Sequence, residues 1–148
     1  IMKKALFAGS FDPFTRGHQS IVDRTLAIAD EVVVAIGRNA NKHTMLTLEQ
    51  RIEAIEQLYA DEPRVKVMAY DGLTTDFAAS VGATFLVRGV RNIADFEFEK
   101  NIADVNRKLT GIETVLLVTE SEYSHISSSI VRELMSYGRD VSDFMPQK

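Results

Sequence analysis

Short apolar runs alternate with amphipathic helical patterns along the chain. One run, Val32–Gly37, is almost wholly apolar, which is typical of a central parallel strand that is covered on both faces. Other runs of strand length are bounded by glycine, proline or polar residues. The predicted strands are Lys3–Ala8, Val32–Gly37, Val65–Tyr70, Phe85–Val87 and Thr114–Val118.

Apolar residues at helical spacing fill the segments between these strands. Thr47 and Gln50 fit a capping box that opens one helix. The predicted helices carry Ile21, Val22, Leu26 and Ala29 after a start near His18; Leu48, Ile52, Ile55 and Tyr59; the short span Thr75–Val81; Phe98, Ile102, Val105 and Leu109; and Ile130, Val131 and Leu134. The alternation predicts an α/β fold, in which residues 1–148 form a single domain around a doubly wound, five-stranded parallel sheet.

Such a sheet binds ligands beyond the carboxyl ends of its strands, near the point where the strand order reverses. We therefore expect the loops that follow the strands to gather at one site. The loops with polar, basic or glycine residues are Gly9–His18, Arg38–Thr44, Arg88–Ala94 and Tyr123–Ser129.

Composition narrows the classes of function. With 45% hydrophobic residues the chain can bury a core, and its net charge of −4 argues against a whole surface that binds nucleic acid. The lack of cysteine excludes disulfides, thiolate metal sites and cysteine nucleophiles. No apolar stretch approaches the roughly 20 residues of a membrane span. We expect a soluble, cytoplasmic protein without a nucleic-acid or membrane partner.

The first loop, Gly9–His18, leads into a helix N-terminus, where exposed N–H groups and the helix dipole attract phosphate. It matches neither the Walker loop nor the Gly-x-Gly-x-x-Gly fingerprint. Its pattern is Thr15-x-Gly17-His18, in which Gly17 lets the backbone come close to a ligand. The alternative is that His18 only caps or covers the helix.

Two arginines, Arg88 and Arg91, stand beside Gly89 at the end of the fourth strand. A guanidinium fork matches the geometry of phosphate oxygens, so this segment is a candidate anion site. The alternative is a solvated loop in which the arginines pair with nearby carboxylates: Asp95, Glu97 or Glu99.

Two other segments carry polar side chains after strands. Lys42 lies in a polar run, where a lone lysine is more often solvated than functional. Three consecutive serines, Ser127–Ser129, precede the last helix, although one cap uses one hydroxyl. The surplus hydroxyls could face a phosphate. The three histidines at 18, 43 and 125 lack zinc-ligand spacing, so no protein-held metal site is predicted.

Two motifs at opposite ends of the chain carry a family resemblance. Thr15-x-Gly17-His18 and Ile126-Ser127-Ser128-Ser129-x-x-Arg132 resemble the paired signatures of the nucleotidylyltransferase superfamily. Gly9–Pro13, Arg88–Arg91 and Ala94–Glu99 are similar to bacterial phosphopantetheine adenylyltransferases, and the match covers nearly the whole chain. This resemblance implies a Rossmann-like fold and transfer of AMP from ATP to 4′-phosphopantetheine, which gives dephospho-coenzyme A and pyrophosphate. It also implies a cytoplasmic homohexamer in coenzyme A biosynthesis.

The resemblance assigns residues to each substrate. His18, as transition-state stabiliser, Lys42 and Arg91 are the implied catalytic residues. The residues implied for phosphopantetheine are Ser10, Lys42, Thr74 and Arg88, with Lys42 and Arg88 near its phosphate. The residues implied for ATP are Ser10, Phe11, His18, Gly89, Val90, Arg91, Glu99, Tyr123, Ser124, His125, Ile126, Ser127, Ser128 and Ser129.

The implied reaction needs no general base, because a phosphate monoester with a second pKa of about 6 is already largely a dianion at neutral pH. Catalysis then depends on positioning two polyanions and stabilising the charge that develops between them. We expect Mg²⁺ to arrive with ATP and to keep several waters, without a carboxylate cage.

Three alternatives stay open. Nicotinamide mononucleotide adenylyltransferases, or cytidylyltransferases for an alcohol phosphate, belong to the same superfamily, although the segment Arg88–Glu99 argues against both. A regulatory module would keep the nucleotide pocket without turnover. A purely structural α/β domain would leave the two signatures unexplained.

Overall fold

The structure is a computed structural model that describes residues 1–39 and 41–148. These residues form five strands: β1 (Lys4–Gly9), β2 (Glu31–Gly37), β3 (Val65–Tyr70), β4 (Phe85–Val90) and β5 (Glu113–Val118). All neighbouring strands are parallel, in the order β3-β2-β1-β4-β5. The order reverses between β1 and β4, so the chain has the predicted doubly wound sheet.

Helices alternate with the strands and cover both faces of the sheet. They are α1 (Arg16–Thr25), α2 (Leu48–Leu58), α3 (Thr74–Ser80), α4 (Ile93–Thr110) and α5 (Ser128–Ser136), with short 3₁₀ turns at Ser121–Tyr123 and Ser142–Phe144. Among the described helices, none combines the length and the apolar character needed to cross a bilayer. The predicted α/β class is confirmed.

Successive strand residues pack into two different layers, as the pleat requires. One layer joins β1, β2 and β4 to α1 and α2 through buried side chains: Phe7, Val32, Val34, Val87, Ile21, Val22 and Ile55. The other layer joins the same strands to α3: Leu6, Val33, Ala35, Leu86 and Ala78. Because both faces are buried, β2 has a continuous rather than an alternating apolar sequence.

β1 and β4, the strands on either side of the reversal, separate at their carboxyl ends. β1 pairs with β2 from Lys4–Glu31 to Gly9–Ile36, whereas its described ladder to β4 contains only Ala5–Phe85 and Leu6–Leu86. β4 nevertheless continues beside β5 up to the pair Val90–Val118. A crevice therefore lies between the ends of β1 and β4.

The predicted end of the fourth strand and start of the following loop are wrong. Arg88, Gly89 and Val90 lie in β4 because each is paired with β5. The loop is then only two residues long, since Asn92 caps α4 by accepting a hydrogen bond from the N–H of Asp95. Arg88 is thereby held on a strand instead of a solvated loop.

Several predicted helical faces also differ. α1 ends at Thr25 and residues 26–28 form a turn, so Ala29 is buried outside the helix. In α5, Val131 is fully buried but Ile130 is 41% exposed. The inward face of this helix also carries Ser128 and Arg132, which donate hydrogen bonds to the carbonyls of Pro13 and Asp12. The apolar stripe of α4 stays 40–63% exposed: Phe98, Ile102, Val105 and Leu109.

Candidate active site

The crevice at the carboxyl ends of β1 and β4 holds a cavity of about 360 Å³, called here the crevice cavity. All four predicted loop regions contribute to its walls, so the expected gathering of the loops is confirmed. The candidate residues on its walls are Ser10, Phe11, His18, Lys42, Arg88, Gly89, Arg91, Glu99, Tyr123, Ile126, Ser127, Ser128 and Ser129.

A second cavity of about 210 Å³, called here the α4 cavity, lies between α3, α4 and the sheet. Thr74 lines this cavity, where its hydroxyl is 2.6 Å from the hydroxyl of Tyr70. The two cavities share part of their walls: Ala8, Gly9, Arg88 and Glu99. Arg88 and Glu99 thus face both spaces.

Three candidate residues lie away from both sets of walls. Val90 is nearly buried in β4, while Ser124 and His125 are exposed. The His125 ring packs edge-on to Phe144, with ring centres 5.8 Å apart. Contact of these residues with ATP stays a prediction.

His18 occupies the first turn of α1 and completes a capping box. Its Nδ1 accepts a hydrogen bond from the N–H of Thr15 at 2.9 Å, while the His18 N–H donates to the Thr15 hydroxyl. A neutral ring held in this way carries its proton on Nε2. His18 therefore does cap α1, and the same hydrogen bond leaves its Nε2–H as a neutral donor on a residue of the cavity wall.

The surroundings of the ring keep it uncharged. Phe11 and Phe14 lie with their ring centres 5.0 and 5.3 Å from that of His18. Burial, and then the charges of Arg88 and Arg91, lower the pKa of His18 from 6.5 to about 4. His18 is consequently neutral at physiological pH.

Arg88 makes a forked ion pair with Glu99. Its Nε donates to Oε2 at 2.8 Å and its Nη2 to Oε1 at 2.9 Å. Its Nη1 donates to the carbonyl of Ala8 at 2.6 Å, across the gap between β4 and β1. Bidentate contacts of this kind fix the orientation of a guanidinium.

Arg91 has a similar arrangement at the rim. Both its backbone N–H and its Nε donate to Asp95 Oδ2, at 3.0 and 3.1 Å. Asp95 and Glu99 are one turn apart on α4, so a single helix face orients both arginines. The predicted alternative of pairing with acidic neighbours is correct for Asp95 and Glu99, and both arginines still line the crevice cavity.

The segment before α2 is anchored to the first loop. Lys42 Nζ donates to the Ser10 hydroxyl at 2.9 Å. The buried carboxylate of Asp12 accepts hydrogen bonds from the N–H groups of Met45 and Leu46, both at 2.8 Å. Arg51, also buried, donates to the Ser10 carbonyl. Asp12 and Arg51 thus bring Lys42 to the crevice, a role that the sequence reading missed.

The three serines already have partners within the protein. Ser127 caps α5 through the N–H of Ile130, and Ser128 donates to the Pro13 carbonyl at 2.8 Å. Ser129 accepts a hydrogen bond from Arg132, whose other terminal nitrogen donates to the Asp12 carbonyl. Arg132 lines the crevice cavity but was absent from the predicted site residues, although it belongs to the second motif.

Within residues 1–39 and 41–148, no group of three or more His, Asp or Glu side chains is arranged to hold a metal ion. The carboxylates on the crevice wall, Asp95 and Glu99, are engaged by arginines. A divalent ion here would therefore be coordinated mainly by ligand oxygens and water.

Comparison with known proteins identifies the family. A cytidylyltransferase-like family model matches residues 6–134. The phosphopantetheine adenylyltransferase of Bacteroides thetaiotaomicron is 56% identical over 146 residues, which are 99% of this chain and 97% of the relative. The corresponding protein of Porphyromonas gingivalis is 58% identical over 148 residues, with 99% and 97% covered. The chain belongs to the phosphopantetheine adenylyltransferase family.

Solved structures of more distant proteins share the fold of this family member. The bifunctional NMN adenylyltransferase/ADP ribose pyrophosphatase of Francisella tularensis, with AMP and manganese, superposes with a TM-score of 0.73 at 14% identity. That match covers 98% of this chain and 44% of the other. A putative nicotinate-nucleotide adenylyltransferase from Vibrio parahaemolyticus gives 0.64 at 18% identity, with 99% and 95% covered.

We expect His18 to stay neutral, with its proton on Nε2, from pH 8 down to about pH 5, since its pKa is lowered to about 4. Two-bond ¹H–¹⁵N correlation spectra across this range measure both ring nitrogens. A His18 titration centred near its ordinary value of 6.5 would contradict the geometry. The unfolded chain binds a proton at His18 below pH 6.5 and the folded chain only near 4, so this group lowers the free energy of unfolding as the pH falls between these values.

Proposed function

We propose that this chain transfers AMP from ATP to 4′-phosphopantetheine, giving dephospho-coenzyme A and pyrophosphate. The observation that carries the proposal is that two cavities meet at Arg88 and Glu99 in a chain of the phosphopantetheine adenylyltransferase family. The reaction joins two phosphorylated substrates, and this junction offers a place where their phosphates can meet.

The crevice cavity is suited to ATP. The N-termini of α1 and α5 border it, and helix N-termini stabilise nearby phosphates. Arg91 and Arg132 add positive charge to the same walls. These groups would hold the triphosphate, while His18 lies on the wall beside it.

The α4 cavity is suited to the pantetheine arm. Leu86, Ile102 and Ala103 provide apolar wall, and Thr74 and Asn106 provide polar groups. An acceptor lying here would place its phosphate at the end shared with the crevice, beside Arg88. Lys42, which lies in the segment before α2, would approach the same phosphate from the side of Ser10.

The chemical step is a direct displacement. An oxygen of the acceptor phosphate forms a bond to the α-phosphorus of ATP, and the bond from that phosphorus to the oxygen of the leaving pyrophosphate breaks. The attacking phosphate is already a dianion and needs no general base. The protein's contribution is alignment and electrostatic stabilisation.

His18 would donate its Nε2 proton in a hydrogen bond to an α-phosphate oxygen as charge develops there. Its Nδ1 is fixed by Thr15 and its pKa is lowered to about 4, so the ring is oriented and neutral before substrate binds. A donor oriented in advance pays no reorganisation cost in the transition state.

Mg²⁺ would enter with ATP, since the described residues offer no acidic cluster to hold it alone. When bound, the ion neutralises charge on the phosphate oxygens. The residues on the crevice wall would bind the metal–nucleotide complex through its remaining phosphate oxygens.

We also propose that the chain forms a homohexamer. The stripe of Phe98, Ile102, Val105 and Leu109 on α4 is 40–63% exposed, and Phe96 beside it is 46% exposed. An apolar stripe of this kind is typical of a surface that a partner covers.

A cytoplasmic location and the lack of a nucleic-acid partner stay predictions. Cell fractionation would test the location, and a DNA-binding titration would test the lack of a nucleic-acid partner.

Pyrophosphate release tests the proposed function. With ATP and Mg²⁺, we expect release with 4′-phosphopantetheine and formation of dephospho-coenzyme A, identified by mass. Nicotinamide mononucleotide with ATP, and glycerol phosphate with CTP, are the controls for related activities. Turnover with a control acceptor alone would replace the substrate assignment, and ATP binding without any turnover would favour a regulatory module.

Replacing His18 separates its catalytic and capping roles. In His18→Gln, the glutamine keeps the capping-box acceptor at the third helical position, so the melting temperature should stay close to wild type. Glutamine still has an amide N–H donor, but its flexible side chain does not hold that donor at the position of the ring Nε2–H, so kcat should fall by about 10²–10³. His18→Ala should lose both kcat and stability. An unchanged kcat in His18→Ala, which has no side-chain donor, would contradict the proposed role.

Light scattering tests the oligomer. We expect the mass of a hexamer at micromolar concentration, and smaller species for Val105→Glu, which places a charge within the exposed stripe of α4. Glu133→Lys, on an exposed position of α5 outside that stripe, is the matched control. A wild-type chain that stays monomeric would remove the proposal.

A further inference from the structure

The α4 cavity, the space proposed for the pantetheine arm, holds two hydroxyl groups in direct contact. The hydroxyl oxygens of Tyr70 and Thr74 lie 2.6 Å apart, and both residues line the cavity. Leu86 and Ile102 make the nearby wall apolar, and a polar group in such a wall is costly unless it is hydrogen-bonded. The family resemblance implied a role for Thr74 but none for Tyr70, so the presence of Tyr70 in this wall needs a reason.

Tyr70 reaches the cavity from a distant strand. It is the last residue of β3 at the edge of the sheet, whereas the cavity lies beside Ala8 and Gly9 of β1. β2 lies between these strands, and its residue paired with Tyr70 is Gly37. A Cβ atom at Gly37 would lie 3.3 Å from the Tyr70 hydroxyl oxygen, so the missing side chain leaves room for the ring to extend over β2.

The Tyr70 ring is held in this position by α3. It stacks on Phe77, with ring centres 5.0 Å apart and ring planes 13° apart. Only 9% of Tyr70 is exposed, whereas Thr74, the first residue of α3, is half-buried. The tyrosine is therefore the fixed member of the pair, and the threonine is its more accessible member.

The chemistry of the two hydroxyls sets the direction of their hydrogen bond. A phenol is a stronger acid than an aliphatic alcohol, so it is the better donor and the alcohol is the better acceptor. Tyr70 therefore donates to Thr74, and the O–H of Thr74 is left to donate elsewhere. In the described part of the chain, neither hydroxyl has a further protein partner. The bond from Tyr70 also polarises the Thr74 hydroxyl and strengthens it as a donor.

We propose that Thr74 donates a hydrogen bond to an amide carbonyl oxygen of the pantetheine arm, and that Tyr70 is a positioning residue that orients the Thr74 hydroxyl for this contact. The inference rests on the proposed function, and it names the group of the acceptor that this wall recognises. The arm contains two secondary amides, whose carbonyl oxygens are strong acceptors. The hydroxyl pair thus favours an acceptor with amides over one with a purely apolar arm.

Thr74→Val tests the contact, because valine replaces the hydroxyl with a methyl group of similar size. We expect both Kd and KM for 4′-phosphopantetheine to rise by about threefold to tenfold, as expected for the loss of one neutral hydrogen bond. kcat and KM for ATP should stay within about twofold of wild type, since the contact contributes to binding and not to the chemical step. Thr74→Ser, which keeps the hydroxyl, should restore the affinity. Melting temperatures establish that each variant folds.

A double-mutant cycle tests whether Tyr70 acts through Thr74. Tyr70→Phe alone should raise KM for 4′-phosphopantetheine by about threefold to tenfold, but adding it to Thr74→Val should raise KM by less than about twofold. Multiplying losses in the double variant would show that the two hydroxyls act independently, which contradicts the positioning role. Tyr59→Phe is the matched control: it removes a tyrosine hydroxyl that donates to Asp23 away from both cavities, so it should leave both KM values unchanged.

Acceptor analogues test the assignment to an amide. In each of two analogues of 4′-phosphopantetheine, one amide is replaced by two methylene groups. One analogue should bind wild type and Thr74→Val equally well, because it lacks the bonded carbonyl. If both analogues still bind Thr74→Val more weakly by the full factor, the amide assignment is overturned.

Calorimetry without ATP separates this inference from the proposed function. Wild-type turnover with an unchanged Kd for 4′-phosphopantetheine in Thr74→Val would overturn the inference and leave the proposed function intact. A wild-type chain that neither binds nor turns over 4′-phosphopantetheine would overturn both. Turnover by wild type together with the weaker binding of Thr74→Val and its recovery in Thr74→Ser is the expected result.

Discussion

The site depends on the gap that opens where the sheet reverses its strand order. β1 and β4 are neighbours, yet their described pairing ends at Leu6 and Leu86, and beyond these residues the Arg88 guanidinium reaches the Ala8 carbonyl. A side-chain hydrogen bond thus links β1 and β4 where their backbone pairing has ended. The same guanidinium separates the crevice cavity from the α4 cavity, so one constraint creates two binding spaces and the wall between them.

Local charge, rather than net charge, suits this site to polyanions. The chain carries −4 overall, and two of the arginines that line the crevice cavity, Arg88 and Arg91, are each paired with a carboxylate of α4. These ion pairs weaken the positive potential of the arginines, but they fix the direction of the arginine N–H donors. The site is therefore better suited to aligning the substrate phosphates than to attracting them from a distance. His18 follows the same principle, because burial and nearby positive charge keep its ring neutral while Thr15 fixes its orientation.

Much of the fold could be predicted because both faces of β2 are buried and its apolar run reports this directly. The end of β4 could not, since Arg88 and Gly89 have loop-like composition and are held in the strand by pairing with β5. Helical periodicity located α4, but it did not show that Glu99 is the buried residue of this helix while its apolar stripe stays exposed. The two sequence motifs contain His18 and the serines, which line the same cavity. The α4 cavity is instead formed by elements that are distant in sequence, so no local sequence pattern indicates it.

In the proposed reaction, the phosphates of the two substrates meet at this wall and react in a single displacement. The most direct measurement is the stereochemical course at the α-phosphorus, with ATP made chiral there by a sulfur substitution and the product configuration read by ³¹P NMR. A single in-line attack inverts the configuration, and inversion is the predicted result. Retention would show two successive displacements through an adenylylated enzyme and would contradict a direct reaction between the two substrates.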